Sequence, residues 1–107
     1  MKHVTYAEKS LLIGDEAADL LMSYATVLGR THGTDSVTLQ AIGIDGNEVG
    51  ATFLLNPSAN LMVETTNTTA TEPDNETVSE YMRQRISGLT EPYELVPDPE
   101  TATDRDR

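Results

Sequence analysis

The sequence predicts an α+β domain: an antiparallel sheet of about four to five strands, one long helix packed on one face, and a second, C-terminal helix, in the order β-β-α-β-β-β-α. Three observations carry that prediction. Apolar residues recur at helical spacing from Ala17 to Leu28. Two alternating, β-rich runs flank the turn cluster Asp45-Gly46-Asn47. Val78, Tyr81, Met82, Ile86 and Leu89 then form a second, narrower helical stripe. A chain of 107 residues is one domain by length, here 1–96, and the acidic segment 97–107 reads as a disordered polar tail.

His3 to Ala7 alternates and is rich in β-formers, and Ser10 to Ile13 is a second short apolar run. Ala7 to Lys9 is the turn between them, although neither Asn-Gly nor Asp-Gly marks it. Gly14-Asp15-Glu16 reads as a helix start, with Asp15 as the capping acceptor and Glu16 and Asp19 complementing the positive end. Ala17, Leu20, Leu21, Tyr24, Ala25, Val27 and Leu28 make its apolar stripe. Arg30 and His32 lie near the negative end, and Gly29 or Gly33 is available to stop it.

Ser36 to Ile44 and Glu48 to Asn56 form the next hairpin. Val37, Leu39 and Ala41 share a face with Val49, Ala51, Phe53 and Leu55, and these residues should lie under the first helix. The opposite face carries Ile42, Ile44, Leu54 and Met62 among Thr38, Gln40 and Thr52. A half-solvated sheet should be more polar than that. Either the second helix covers this face or another protein does.

Asn56 to Asn60 is a turn, Leu61 to Thr66 a further strand, and Asn67 to Asn75 an exposed loop. Thr77 with Glu80 matches a capping box, with Asp74 and Asn75 as rival caps. Gly88 is a natural stop for the second helix, and Pro92, Pro97 and Pro99 exclude helix beyond Glu91.

The formal net charge is −11, from 18 acids against 7 bases. Between Arg30 and Arg83 there is no lysine or arginine at all, so the middle of the chain cannot supply the cations that a phosphate-reading surface needs. Nucleic acid is therefore not an expected partner. With no cysteine there is no disulfide, thiolate metal site or thiol chemistry. The opening residues lack the apolar run of a secretory signal, and no run approaches a membrane span, so a cytoplasmic protein without membrane contact is expected.

Motifs of chemistry are sparse. His3 and His32 are not spaced as ligands, and each is better explained by its element: His3 as a strand residue facing water, His32 as a helix-end cation. Asp45-Gly46-Asn47-Glu48 lacks the ligand spacing of a calcium loop and reads as a hairpin turn. Arg83 and Arg85 with Glu80 read as an exposed, ion-paired helix face. Asn67-Thr68-Thr69 and Asn75-Glu76-Thr77 match a glycosylation pattern by chance in a threonine-rich stretch. No catalytic, cofactor-binding or metal residue is assigned, and no cofactor is expected.

The sequence thus points to a small, acidic, non-enzymatic protein-interaction module whose partner is a second copy or another protein. Its contact surface is assigned to Ile42, Ile44, Leu54, Met62, Tyr81 and Met82, on the sheet face or the second helix. Two other classes are carried beside it. One is an acidic nucleic-acid mimic that presents Glu64, Glu72, Asp74 and Glu76 to a basic protein. The other is a small enzyme with a carboxylate or histidine site at a sheet end.

Overall fold

The computed structural model describes residues 1–95, with side chains through Thr90; the tail expected over 97–107 lies outside the described residues. The elements are β1 (Lys2–Tyr6), β2 (Lys9–Ile13), α1 (Asp15–Thr31), β3 (Asp35–Ile42), β4 (Glu48–Leu55), β5 (Leu61–Thr65) and α2 (Glu76–Leu95). This is the expected order. The strands form one antiparallel sheet of five, arranged β4-β3-β2-β1-β5. Among the described residues, no helix is long and apolar enough to cross a membrane.

Local chemistry explains most boundaries. Ala7 takes the left-handed conformation (φ 57°) that closes the β1–β2 turn, and its N–H donates to the Asn60 carbonyl at 3.1 Å. That bond ties the turn to the β4–β5 loop, which stabilises a conformation an alanine would otherwise avoid. The β3–β4 loop closes through Gly43 N–H to the Asn47 carbonyl (2.9 Å) and Gly46 N–H to the Gly43 carbonyl (3.0 Å). Gly46 has φ 86°, which only glycine adopts freely.

The helix ends differ from expectation in instructive ways. Gly14, not Asp15, is the N-cap of α1, and Asp15 is already the first helical residue. Its amide is met instead by Glu72 Oε2 at 3.4 Å, from the loop before α2. At the other end, His32 takes the left-handed position (φ 57°) and Gly33 N–H reaches back to the Leu28 carbonyl at 2.8 Å. A Cβ on Gly33 would lie 2.9 Å from Leu28 Cδ2, so a larger residue there would have to displace the end of that leucine.

For α2, the Asn75 carbonyl accepts the first helical bond from Ser79 N–H (2.8 Å), and the Asp74 side chain receives Glu76 N–H (3.0 Å). The Thr77–Glu80 box is unused because the helix begins before it. Helix continues through Pro92 to Leu95, beyond the stop expected at Gly88 and the exclusion expected after Glu91. Proline's fixed φ is compatible with a helix, although in a helix interior it removes the bond to the i−4 carbonyl, here that of Gly88, and crowds that carbonyl.

Strand register settles the two faces. Val4 opposes Leu11 and Val63, Val37 opposes Phe53, and Leu39 opposes Ala51. These residues share the core with Ile13, Leu55, the α1 residues Ala18, Leu21, Tyr24 and Leu28, and Met82 of α2. Both helices therefore lie side by side on one face, α1 over β1 and β5 and α2 over β3. The first helix does not cover the β3–β4 hairpin alone, and the second helix does not cross to the other face. That other face is left bare.

The sheet is also strongly curled. β2 and β3 are joined only where Leu12 opposes Ile42. Although β2 and β3 separate β1 from β4 in the strand order, the Tyr6 ring meets Phe53 edge-on at 5.8 Å and its hydroxyl donates to the Leu54 carbonyl. On one side of the Leu12–Ile42 bridge the gap is closed by Asn75. Its Oδ1 accepts Gln40 N–H (2.7 Å) and its Nδ2 donates to the Gln40 carbonyl (2.9 Å), replacing a strand partner.

Candidate functional site

Alternation along five strands decides what the bare face presents. Two hydroxyl pairs bridge neighbouring strands there: Thr5 with Ser10 at 2.7 Å and Thr38 with Thr52 at 2.8 Å. Around them stand Leu12, Ile42, Leu54 and Met62. The strand acids on this face are Glu48 and Glu64, which sit on the two edge strands β4 and β5. The central strands β3, β2 and β1 place no acid, lysine or arginine on it, in a chain that has 18 acids. Depletion of charge with apolar residues retained is the composition of an interface centre.

The residues assigned from sequence divide into three groups. Ile42, Ile44, Leu54 and Met62 belong to the bare side: Leu54 is 51% and Met62 48% exposed, and Ile44 is fully exposed on the β3–β4 loop. Tyr81 is 42% exposed but belongs to the helix side, where its hydroxyl donates to Asp35 at 2.6 Å. Met82 is a correction. It is 0% exposed because α2 packs beside α1, so its side chain is core and offers no contact surface.

Where β2 and β3 part on the far side of the bridge from Asn75, an open cleft of about 1040 Å³ forms. Its lining includes both places where the halves of the sheet touch, the Leu12–Ile42 bridge and the Tyr6–Phe53 contact. Leu11, Val49 and Ile44 add apolar surface. Lys9 and Asp45 stand on its opposite walls, one on β2 and one on the β3–β4 loop. No ion pair among the described residues includes Lys9. Asp45 is held by its own turn, accepting Asn47 N–H at 3.0 Å and the Asn47 side chain at 3.1 Å; these bonds keep its carboxyl below the usual pKa.

A polar cluster on the helix side was not foreseen. Tyr24 of α1 is fully buried and donates to Asp35 at the start of β3, while Arg85 Nε of α2 donates to the Tyr24 hydroxyl at 3.2 Å. Burial, reinforced by Asp35, pushes the Tyr24 phenol far above its ordinary pKa. Burial also opposes ionisation of Asp35. Hydrogen bonds from Tyr24, Tyr81 and the Ser36 amide, with the charge of Arg85, outweigh it and hold the carboxyl below its ordinary value. Each group has a partner that locks α1, β3 and α2 together. Arg83, expected to pair with Glu80, does so at 2.8 Å and also reaches Glu16 of α1.

The remaining residues are dispersed. His3 is on the bare face of β1 and His32 ends α1. Among the described residues, no cluster of three histidine, aspartate or glutamate side chains could hold a metal. Of the acids considered for nucleic-acid mimicry, Glu72 turns to the Asp15 amide and Asp74 to its own helix, while Glu64 stands on the bare face. Comparison with protein-family models, with curated proteins and with solved structures returned no significant match.

Proposed function

We propose that this chain is a small, acidic, non-enzymatic protein-interaction module that works as a homodimer, pairing through the bare face of its sheet. One observation carries the reading: both helices pack on the same side, so Leu54 and Met62 stand exposed, and Leu12 and Ile42 partly exposed, on a face without charged residues on its central strands. A second copy suits that face better than a basic partner would. Most of the acids lie elsewhere, and a basic protein would find little to neutralise on the central strands.

Five strands about 4.8 Å apart, with rises of about 3.3 Å per residue, give a face of roughly 500 Å² in projection. Specific complexes bury about 800 Å² of accessible surface per partner, so a contact confined to this curled face is a small one. Net charge of −11 on each copy opposes association, and salt relieves that repulsion.

Light scattering after size exclusion, at low and high salt and up to high protein concentration, tests the reading. A dimer that tightens with salt is expected, together with its loss in Leu54→Asp while the circular dichroism spectrum is unchanged. A wild-type monomer at every salt and concentration, or a dimer indifferent to Leu54→Asp, overturns the sheet-face contact.

A further inference from the structure

The bare face alone makes a small contact for a stable dimer, and the structure holds a surface that would enlarge it. Ile44 is completely exposed on the β3–β4 loop, a position where turn chemistry calls for a polar residue. Beside it opens the cleft bordered by Leu11, Leu12, Ile42 and Val49, many times larger than one side chain. Ile44 lines the rim of that cleft without filling it. A residue on the rim of a cleft is placed for reciprocal insertion. A two-fold axis through the mouth would set each copy's Ile44 into the other's cleft, burying both isoleucines in one operation.

Charge supports the same geometry. Lys9 lies on one wall, next to Glu8, and Asp45 on the other. A two-fold axis running along the cleft, parallel to its walls, would bring each Lys9 toward the second copy's Asp45, giving two equivalent ion pairs at the rim. We infer that the occupant of the cleft is Ile44 of a second copy of this chain, with Lys9 and Asp45 paired across the interface. This rests on the homodimer reading and adds to it the loop and the cleft, whose walls carry Leu12 and Ile42 of the bare face and Leu11 and Val49 of the helix face.

The test uses the full chain and three variants whose folds should survive. Ile44 makes no buried contact, Asp45→Asn keeps the oxygen that accepts Asn47 N–H, and Lys9 is exposed. Dissociation constants come from sedimentation equilibrium, with thermal melts as the folding control. Ile44→Ser should raise the constant by more than about tenfold. Lys9→Gln and Asp45→Asn should each raise it by about two- to fivefold, and the double variant should be no weaker than the weaker single one.

A dimer that Leu54→Asp breaks but Ile44→Ser leaves intact overturns this inference and spares the sheet-face reading. A wild-type monomer at all concentrations overturns both. Additive effects of Lys9→Gln and Asp45→Asn overturn the ion pair.

Discussion

Removing the carboxylate of Asp35 should cost this domain a large share of its stability. Asp35→Ala takes the acceptor from the Tyr24 hydroxyl, which is fully buried, and from the Tyr81 hydroxyl, which is partly exposed. Tyr81 can turn to water, so its loss is small. Tyr24 still accepts from Arg85, but its own proton is left without a partner in the core. A hydrogen bond to a charged group contributes about 1.5–3 kcal/mol, and stranding the buried donor places the change near the upper end, at about 2–3 kcal/mol. A domain of this size is stable by about 5–15 kcal/mol, so the midpoint of a melt should fall by about 10–20 °C. Urea titrations followed by circular dichroism, at several protein concentrations to separate folding from association, give the free energy. Tyr24→Phe keeps the ring and removes the hydroxyl, and the double variant should be less destabilised than the sum by about 1–2 kcal/mol. A loss below about 0.5 kcal/mol, or strict additivity in the cycle, would refute the lock between α1, β3 and α2.

Three further outcomes follow from named contacts. Because Asp35 is held below its ordinary pKa, its contribution is complete above the unfolded value of about 3.9 and is lost as pH falls through the lower folded value; wild type should therefore lose stability more steeply below about pH 4 than Asp35→Asn, as read from melts across that range. Asn75→Ala removes both side-chain bonds to the Gln40 backbone and should cost about 1–2 kcal/mol, with faster hydrogen exchange at the Gln40 amide as the local signature. Met82→Ala should cost about 2–5 kcal/mol in chemical denaturation, whereas a surface methionine would cost almost nothing.

Periodicity made the architecture legible. The α1 stripe and the alternation around Asp45-Gly46-Asn47 define which side of each element is buried, and burial follows them at Leu21, Tyr24, Leu28, Val37, Leu39 and Phe53. What periodicity cannot express is where a buried side goes. Val78, Met82 and Ile86 announce that α2 packs on something, and they read the same whether that is the second face of the sheet or the flank of α1. Hence Met82 was assigned to a surface it does not reach. The polar cluster was equally invisible, since Tyr24, Asp35, Tyr81 and Arg85 come from three elements and share no spacing. Asn75 looked like an ordinary cap because its sequence context is that of one. Its side chain is drawn to Gln40 only because β2 and β3 part after a single bridge. Ile44 read as the last residue of a strand on the sheet's second face; β3 instead ends at Ile42 and leaves Ile44 exposed on the loop, because the turn is closed from Gly43 to Asn47.

Acidity and the bare face are best understood together. Asp15, Glu16 and Asp19 line the start of α1, Glu72 and Asp74 occupy the loop, and Glu76 and Glu80 open α2; the N-terminal amine, Lys2 and Arg83 pair with five of these seven acids, which leaves the helix side with a negative excess. Two copies that meet through those surfaces set acid against acid within a screening length of about 8 Å at physiological salt. The central strands of the bare face carry no such penalty. In the proposed dimer, charge would favour an approach through the sheet face over one through the helix side. The hydroxyl pairs Thr5–Ser10 and Thr38–Thr52 keep that face from being uniformly apolar, which limits the indiscriminate association that a bare sheet invites.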